Sequence, residues 1–461
     1  MTNKDALLAE LEATQQKFGD FEMMELLIAD ASGILKGKRV RPGDFESVCR
    51  GGFTFCGGVP LLTGLGETVS GIPYGEDDGD PDIPAYLVPG SIAPIPWSSR
   101  PMGQALFRSY GEDGQPFFAD PRTVLERAMR PLQDMGLTMV MATELEFYLL
   151  DGSADAPTPA VPHVPGTRRL QPGVQVYHPD DLWEIEDFLN DVYDYCDAQN
   201  IPADSAISEY AQGQYEINLR HIADPVLACD HAVLLKRAIK AAARKHGYVA
   251  CFMAKPFEES AGSGLHIHLS LVDSDGRNFF SRGKDDLARP PFSDELRHAV
   301  GGLQVTMAET TAINSPNANS YRRLRPDMFA PVEPNWGVNH RVVSLRIPES
   351  DADNLRIEHR PAGADANPYL VTAIVMAGVH HGLVNRIEPE PMVPQHGEVV
   401  PQVRIPTRWD AAIDLFESST ILPNYLGEDY CRYYARNRRA ESQRFHNIIS
   451  ELDFDWYLRA V

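Results

Sequence analysis

The sequence predicts an α+β fold on the strength of two observations. Several apolar segments carry polar residues at a spacing of two, which is the period of a strand with one polar face. Other segments have apolar residues three and four positions apart, the period of an amphipathic helix. We therefore expect strands that display polar side chains, with helices packed against them.

Composition and charge narrow the class of protein. The 461 residues are 43% hydrophobic and 23% charged, and the net charge of −23 disfavours nucleic acid as a partner. No apolar run approaches the ~20 residues of a membrane span, and the N-terminus does not resemble a signal peptide. Six scattered cysteines without a C-x-x-C pair suit a reducing compartment. We expect a cytoplasmic protein with neither a nucleic-acid nor a membrane partner.

Residues 1–110 are predicted to form a small strand-rich domain, and residues 111–461 a larger α+β domain. Within the first, residues 51–58 are too glycine-rich for regular structure and are predicted to be a loop. Strands are expected at residues 22–30, 34–40 and 85–88.

The second domain is predicted to open with a helix at Pro121, capped by Asp120 and stopped by Gly136. A buried strand follows over residues 138–150. Further helices are expected at residues 181–199, at 227–246 and from about Trp409 onward.

Carboxylates and imidazoles recur at strand spacing in this domain. Glu144 and Glu146 share one face of an apolar strand, and His266 and His268 share another behind Gly262-Ser-Gly264. Ionised carboxylates in apolar surroundings are costly unless a cation compensates them. The alternative is a sheet face turned to water.

Two more segments add to this set. Glu209 and Glu216 flank a turn at Gln212-Gly213-Gln214, and Glu358 lies between Arg356 and Arg360 at a spacing of two. The second pattern could also be a surface ion-pair stripe. Five glutamates with one or two histidines favour Mg²⁺ or Mn²⁺, and more than one ion.

Arginines are concentrated between Asn319 and Pro348 of this acidic chain, which contains neither a Walker P-loop nor a dinucleotide fingerprint. Arginines beside a magnesium cluster are used in phosphoryl transfer to spread charge on the moving group. The five are Arg322, Arg323, Arg325, Arg341 and Arg346.

Taken in order, these motifs resemble the glutamine synthetase family in its bacterial type I branch. The motifs are Glu144-x-Glu146, Glu209-x₃-Gly213-Gln214-x-Glu216, Lys255-Pro256, residues 262–270, Asn319-Ser-Tyr-Arg-Arg-Leu324, Arg346-Ile-Pro348, and residues 356–369. The resemblance implies an N-terminal β-grasp domain and a catalytic domain built as a funnel of antiparallel strands with outer helices. It also implies a homododecamer with active sites between subunits, and ATP-dependent activation of glutamate for attack by a nitrogen nucleophile.

The resemblance further implies roles for individual residues. Two metal sites would be formed by Glu146, Glu209 and Glu216, and by Glu144, His266 and Glu358. Glutamate and the phosphoryl group would contact Gly262, Arg323, Arg341 and Arg360, and the nucleotide would contact His268, Ser270 and Arg346.

Two departures from the family pattern bear on the nitrogen substrate. Cys56 stands where glutamine synthetases carry an aspartate of the ammonium site, and Phe329 replaces the glutamate of the active-site flap, here residues 326–331. Loss of both anionic groups disfavours ammonium and favours an alkyl-bearing amine. We therefore predict a γ-glutamyl-amine ligase, with a polyamine such as putrescine or spermidine as acceptor and with Phe329 and Trp336 lining the amine channel. The alternatives are a glutamine synthetase using ammonia and a catalytically silent homologue.

Overall fold

The computed structural model describes residues 3–283, 292–326, 329–394 and 402–461. The first of its two β-sheets has the strand order β2-β1-β6-β4-β3, with β5 on β6. Its β1–β6 pair is parallel and its other pairs are antiparallel. The strands are β1 Met23–Ala29, β2 Leu35–Val40, β3 Phe53–Cys56, β4 Asp82–Leu87, β5 Ala93–Pro94 and β6 Met102–Ser109. Two helices, α1 Asn3–Phe18 and α2 Pro42–Gly51, share a hydrophobic core with this sheet.

The prediction of a loop over residues 51–58 is wrong, because β3 lies within this segment. Phe53 and Phe55 each pack edge-on against Phe107 of β6, with ring centroids 5.0 Å apart. Burial of aromatic surface outweighs the low strand propensity of the flanking glycines.

The second sheet has the order β12-β13-β14-β11-β7-β9-β8, with β10 also on β7. Only its β12–β13 pair is parallel among the described pairs. Its strands are β7 Thr138–Asp151, β8 Ala203–Ser208, β9 Gln214–Leu219, β10 Tyr248–Cys251, β11 Leu265–Val272, β12 Trp336–Val338, β13 Leu345–Ile347 and β14 Ile357–His359.

Helices enclose the apolar side of the second sheet, and α6 packs on β7 and β10. They are α3 Pro121–Asp134, α4 Pro179–Trp183, α5 Glu186–Ala198, α6 Pro225–Lys245, α7 Asp294–Asn314, α8 Pro368–Asn385, α9 Trp409–Glu417, α10 Pro423–Leu426 and α11 Glu428–His446. A further helix, α12 Glu451–Tyr457, follows them and has no buried residue. The Asp120 cap of α3 is confirmed, since its carboxylate accepts a hydrogen bond from the Arg122 amide. The single helix predicted over residues 181–199 is instead two, α4 and α5. Within the described ranges, no helix combines the length and apolar composition needed to cross a membrane.

The two sheets meet at the start of α8. Asn367 caps this helix by accepting from the amides of Tyr369 and Leu370, and its Nδ2 donates to the Asp30 carbonyl at 2.9 Å. Leu27 and Leu106 of the first sheet belong to the same hydrophobic core as the second sheet. The segment that follows β14 is therefore fixed to both parts of the molecule.

Candidate metal and substrate site

Strand register gathers the predicted residues on one face of the second sheet. His266 of β11 lies opposite Glu144 of β7, and Glu146 of β7 lies opposite Glu216 of β9. On the other side of β11, His268 lies opposite Glu358 of β14. Directly opposed residues project from the same face of a sheet. Residues as far apart in the chain as Glu144 and Glu358 thus become neighbours.

One end of this face, here called the acidic half, consists of Glu146, Glu209 and Glu216. Glu209 directly follows β8, and a turn through Gly213, whose φ is +73°, brings Glu216 back beside it. One carboxylate oxygen from each of the three residues lies within 4.8 Å of the others. Burial, and then the charge of Glu146, raise the pKa of Glu209 to about 7. Burial and the neighbouring carboxylates raise the pKa of Glu216 well above its usual value.

His266 lies between the two glutamates of β7. Its Nδ1 is 3.0 Å from Glu144 Oε2, and its Nε2 is 3.8 Å from Glu146 Oε1. Gly264 leaves room for the ring, because a Cβ there would lie 2.8 Å from His266 Nε2. The Gly264 amide also donates to Glu146 Oε2 at 2.6 Å. The glycine at this position therefore serves the histidine and the carboxylate together.

The other end of the face, here called the arginine half, is centred on Glu358. Arg346 Nη1 donates to Glu358 Oε2 at 2.6 Å, and Arg360 Nη1 donates to Oε1. Burial alone would raise the pKa of Glu358, but the charge of Arg360 is the largest opposing cause, and the pKa is held down to about 2. This carboxylate is already compensated by protein cations.

Hydrogen bonding fixes the tautomer of His268. Its Nδ1 accepts from Arg356 Nε at 3.1 Å, because a guanidinium can only donate. The proton is therefore on Nε2, which donates to Glu144 Oε1 at 2.8 Å. In this arrangement neither ring nitrogen of His268 has a lone pair free for a metal. His266 has no such donor among its described partners.

The donor chemistry of the face suits hard divalent cations. Among the residues that the structure describes, three groups have ligand atoms within 4.8 Å of one another, namely Glu144, Glu216 and His266; Glu144, His268 and Glu358; and Glu146, Glu209 and Glu216. Oxygen-rich sets with one imidazole favour Mg²⁺ or Mn²⁺. Burial raises the pKa of Glu144, but the hydrogen bonds from His266 and His268 outweigh it and hold that pKa well below its usual value.

Arg323 lies beneath the glycine-rich loop that precedes β11. It is 6% exposed, and its Nη1 donates to the Pro361 carbonyl at 2.8 Å. A Cβ at Gly262 would lie 2.6 Å from the Ala254 carbonyl oxygen and 2.9 Å from Arg323 Cγ. Glycine is therefore required at position 262, and the structure places Gly262 directly against Arg323.

The remaining predicted residues surround these groups. Arg341 is exposed, and its charge lowers the pKa of Glu209 against the larger effects of burial and Glu146. Ser270 lies two residues beyond His268 on β11 and shares its face. Cys56 lies on β3 of the first sheet, where its thiol donates to Asp80 Oδ1 at 2.9 Å.

The aromatic residues divide between the site and the core. Phe329 is 52% exposed, and its ring packs on Tyr210 at a centroid distance of 4.6 Å, next to Glu209. The sequence interpretation missed Tyr210, although its position directly after Glu209 was a usable signal. The expectation that Trp336 lines an amine channel is wrong: its indole is 4% exposed, packs on Phe292 and donates to the Glu390 carbonyl. Of the flap, Asp327 and Met328 lie outside the described residues.

The fold and this face define an α+β protein with carboxylate clusters whose donors suit divalent cations, beside an arginine cluster. Residues 118–457 match the family described as glutamine synthetase, catalytic domain. The chain is 38% identical to the gamma-glutamylputrescine synthetase of Escherichia coli (strain K12), over 98% of this chain and 95% of that protein. It is 31% identical to the gamma-glutamylethanolamide synthetase of Streptomyces coelicolor (strain ATCC BAA-471 / A3(2) / M145), over 96% and 92%. The solved structure of apo GmaS without ligand superimposes with a TM-score of 0.81 at 25% identity, covering 97% of this chain and 99% of that one.

The protein belongs to the glutamine synthetase family. The family predicted from the sequence motifs is thereby confirmed.

Proposed function

We propose that the protein joins the γ-carboxylate of L-glutamate to a primary amine through γ-glutamyl phosphate, with ATP converted to ADP and phosphate. The observation that carries this proposal is the single sheet face on which the acidic half adjoins the arginine half. Metal sites beside arginines are the arrangement that phosphoryl transfer requires. Two relatives named as γ-glutamyl-amine synthetases, each aligned over more than nine-tenths of this chain, support an amine as acceptor.

Two or more Mg²⁺ or Mn²⁺ ions are proposed for each site. Glu146, Glu209 and Glu216 would hold one, and Glu144, His266 and Glu358 another. The hydrogen-bonded state of His268 supports His266 as the imidazole ligand of the second. When bound, the ions would neutralise phosphate oxygens and polarise the phosphoryl group.

Cationic and polar residues are assigned to the substrates. Gly262, Arg323, Arg341 and Arg360 would contact glutamate and the phosphoryl group, and Arg323 and Arg341 would stabilise charge during transfer. His268, Ser270 and Arg346 would contact the nucleotide. Planar guanidinium groups bind carboxylate and phosphate oxygens in a bidentate manner.

The acceptor is proposed to bind against the Phe329–Tyr210 pair. Aromatic faces attract alkylammonium groups and cover their methylenes, whereas ammonium offers no apolar surface to cover. The pair adjoins Glu209, so an amine bound there would lie beside the acidic half of the site. Putrescine or spermidine is the proposed acceptor class.

The finer architecture is also a proposal. We assign residues 1–110 to a β-grasp domain and 111–461 to a strand-funnel catalytic domain; the mixed sheet with a parallel β1–β6 pair supports the first assignment. A cytoplasmic homododecamer is proposed, supported by free cysteines and by a C-terminal segment rich in exposed apolar side chains, namely Ile448, Ile449, Leu452, Phe454, Trp456, Tyr457, Leu458 and Val461.

Phosphate release with glutamate, ATP, Mg²⁺ and a panel of amines tests the function. We expect a diamine or polyamine to be the best acceptor by kcat/KM, with ammonium far weaker. Ammonium as the best acceptor would make the protein a glutamine synthetase, and no release with any amine would make it a silent homologue. Phe329→Glu should lower kcat/KM for polyamines relative to ammonium. Trp336→Phe, which changes a core residue, should leave that ratio unchanged.

A further inference from the structure

Asp365 lies in the segment between β14 and α8, and it is not part of the site described above. Its Oδ2 accepts two hydrogen bonds, from Asn317 Nδ2 and from Ser320 Oγ, each at 2.8 Å. Its Oδ1 is buried without a hydrogen-bond partner among the described residues. Burial of a carboxylate oxygen without a hydrogen-bond partner costs free energy of folding. We therefore expect Asp365 to have a structural or functional role that offsets this cost.

The two donors belong to the turn that carries Arg323. Asn317 Oδ1 accepts from the amides of Asn319 and Ser320, at 3.0 and 3.3 Å, so the turn is closed by the same side chain that reaches Asp365. Arg323 follows one helical turn later and returns to the Asp365 segment by donating to the Pro361 carbonyl. The two segments are therefore joined at both ends.

The Asp365 segment is also bonded to the glycine-rich loop over the site. The Ala364 amide donates to the Ser263 carbonyl at 2.9 Å, and the Leu265 amide donates to the Ala362 carbonyl at 3.0 Å. On the opposite side, Lys236 Nζ of α6 donates to the Ala364 carbonyl. A shift of this segment would move Arg323 and the Gly262–Gly264 loop together.

The charges around Arg323 also support a link between Asp365 and Arg323. Arg323 is buried, and the anionic groups close enough to favour its charge are Glu146 and Asp365. Glu146 is assigned to a metal, so its charge would be shared with that ion. Asp365 is the carboxylate that would remain to balance Arg323.

We propose that Asp365 is a positioning residue for glutamate binding. Its two hydrogen bonds fix the 317–320 turn and thereby hold Arg323 in place beneath Gly262. This inference rests on the proposed function, because it takes Arg323 as a glutamate contact. Asp365 itself touches neither substrate nor metal in this scheme.

The test compares Asp365→Ala with Asp365→Asn. Loss of two buried hydrogen bonds should raise the KM for glutamate about tenfold or more in Asp365→Ala, with the KM for ATP and for the amine within about twofold. Asp365→Asn keeps an oxygen acceptor for both donors but removes the charge near Arg323, so its glutamate KM should lie between those of the wild type and Asp365→Ala. Ser320→Ala, which removes one donor and leaves Asp365 in place, should raise the glutamate KM by a few-fold and gives a reading if Asp365→Ala does not fold.

Asp120→Ala is the control, since it removes a buried carboxylate that accepts hydrogen bonds from the amides of Ser109 and Arg122, far along the chain at the start of α3. It should lower the melting temperature without changing the glutamate KM. Equal changes in the KM values for glutamate, ATP and amine would overturn the inference. So would a lower melting temperature with an unchanged glutamate KM in both Asp365→Ala and Ser320→Ala. Calorimetric titration of glutamate into protein with ADP and Mg²⁺ separates the two proposals. If the wild type binds glutamate yet ligates no amine, the proposed function fails. The dissociation constants of the variants for glutamate then still decide the role of Asp365.

Discussion

The acidic half and the arginine half place glutamates on one sheet face in opposite electrostatic settings. Glu209 and Glu216 face other carboxylates, and their pKa values are raised, to about 7 for Glu209. Glu358 faces Arg346 and Arg360, and its pKa is held down to about 2. The first half needs positive charge from solution, whereas the second supplies cations of its own. Neighbours, and not residue type, decide that the charge of the acidic half is uncompensated, whereas Glu358 is compensated by arginines before any ion binds.

The largest expected effect is on the acidic half. Glu216→Gln should lower kcat by more than about 100-fold and raise the Mg²⁺ concentration needed for activity, because a shared ligand oxygen is lost. It should also raise the melting temperature in EDTA, since folding no longer has to raise the pKa of a buried glutamate at this position. Phosphate release across a Mg²⁺ titration and thermal melts measure both.

Glu309→Gln provides the control, because Glu309 is a partly buried glutamate of α7 whose pKa burial also raises. This variant should retain the metal dependence of the wild type. If Glu216→Gln behaves like Glu309→Gln, the acidic half does not hold a metal.

The arginine half should respond differently. Arg346→Gln removes the donor to Glu358 Oε2 and a proposed phosphate contact, so the KM for ATP should rise about tenfold or more. The half-saturating Mg²⁺ concentration for enzyme already saturated with ATP should change by less than about threefold. An equal rise in both quantities would show that the two halves do not divide their roles.

The pH dependence of the melting temperature, measured with and without metal, also tests the difference between the two halves. Glu209 keeps its proton in the folded protein up to about pH 7, whereas in the unfolded chain it loses the proton near 4.5. The folded state therefore binds more protons between these values, and its stability should fall as pH rises through that window. We expect the melting temperature in EDTA to drop by several degrees from pH 5 to pH 8, and excess Mg²⁺ to abolish most of the drop. A melting temperature in EDTA that rises over this interval would contradict the raised pKa values of the acidic half.

The smallest effect is expected at the boundary between the halves. Arg356→Ala removes the donor to His268 Nδ1 and frees the other tautomer, while the contact between His268 and Glu144 persists. Activity should fall by only about two- to tenfold, the range of one hydrogen bond. Arg356→Lys should recover part of it. A loss as large as that of Glu216→Gln would mean that His268 has a greater part in the site than a nucleotide contact.

Local pattern was enough to locate the main elements of the second sheet. The period of two over residues 138–150 and 265–271 predicted β7 and β11, and Asp120-Pro121 predicted the start of α3. The motifs also predicted the family, which residues 118–457 confirm. Gly262 and Gly264 stand before the histidine strand in the sequence, but the need for glycine at position 262 comes from Ala254 and Arg323, which belong to other segments of the chain.

Where sequence reasoning failed, long-range packing decided the outcome. The glycines of residues 51–58 suggested a loop, but Phe53 and Phe55 pack against Phe107 of another strand and stabilise β3. Trp336 was expected near the flap because of its place in the chain. Gly337 is the neighbour of Arg346 across the β12–β13 pair and shares its face. Because side chains alternate along a strand, Trp336 points to the opposite face and into the core.

The sequence by itself determined the inventory: which residues could bind metal or phosphate, which strand faces would carry them, and which family they belong to. A period of two is a local property of the backbone, so it can be read without knowing the partner strands. Only the tertiary structure decided the pairing of Glu144 with His266 and of Glu146 with Glu216, and hence which glutamates are compensated by arginine. Register, burial and charge compensation arise between segments far apart in the chain, and no local pattern encodes them.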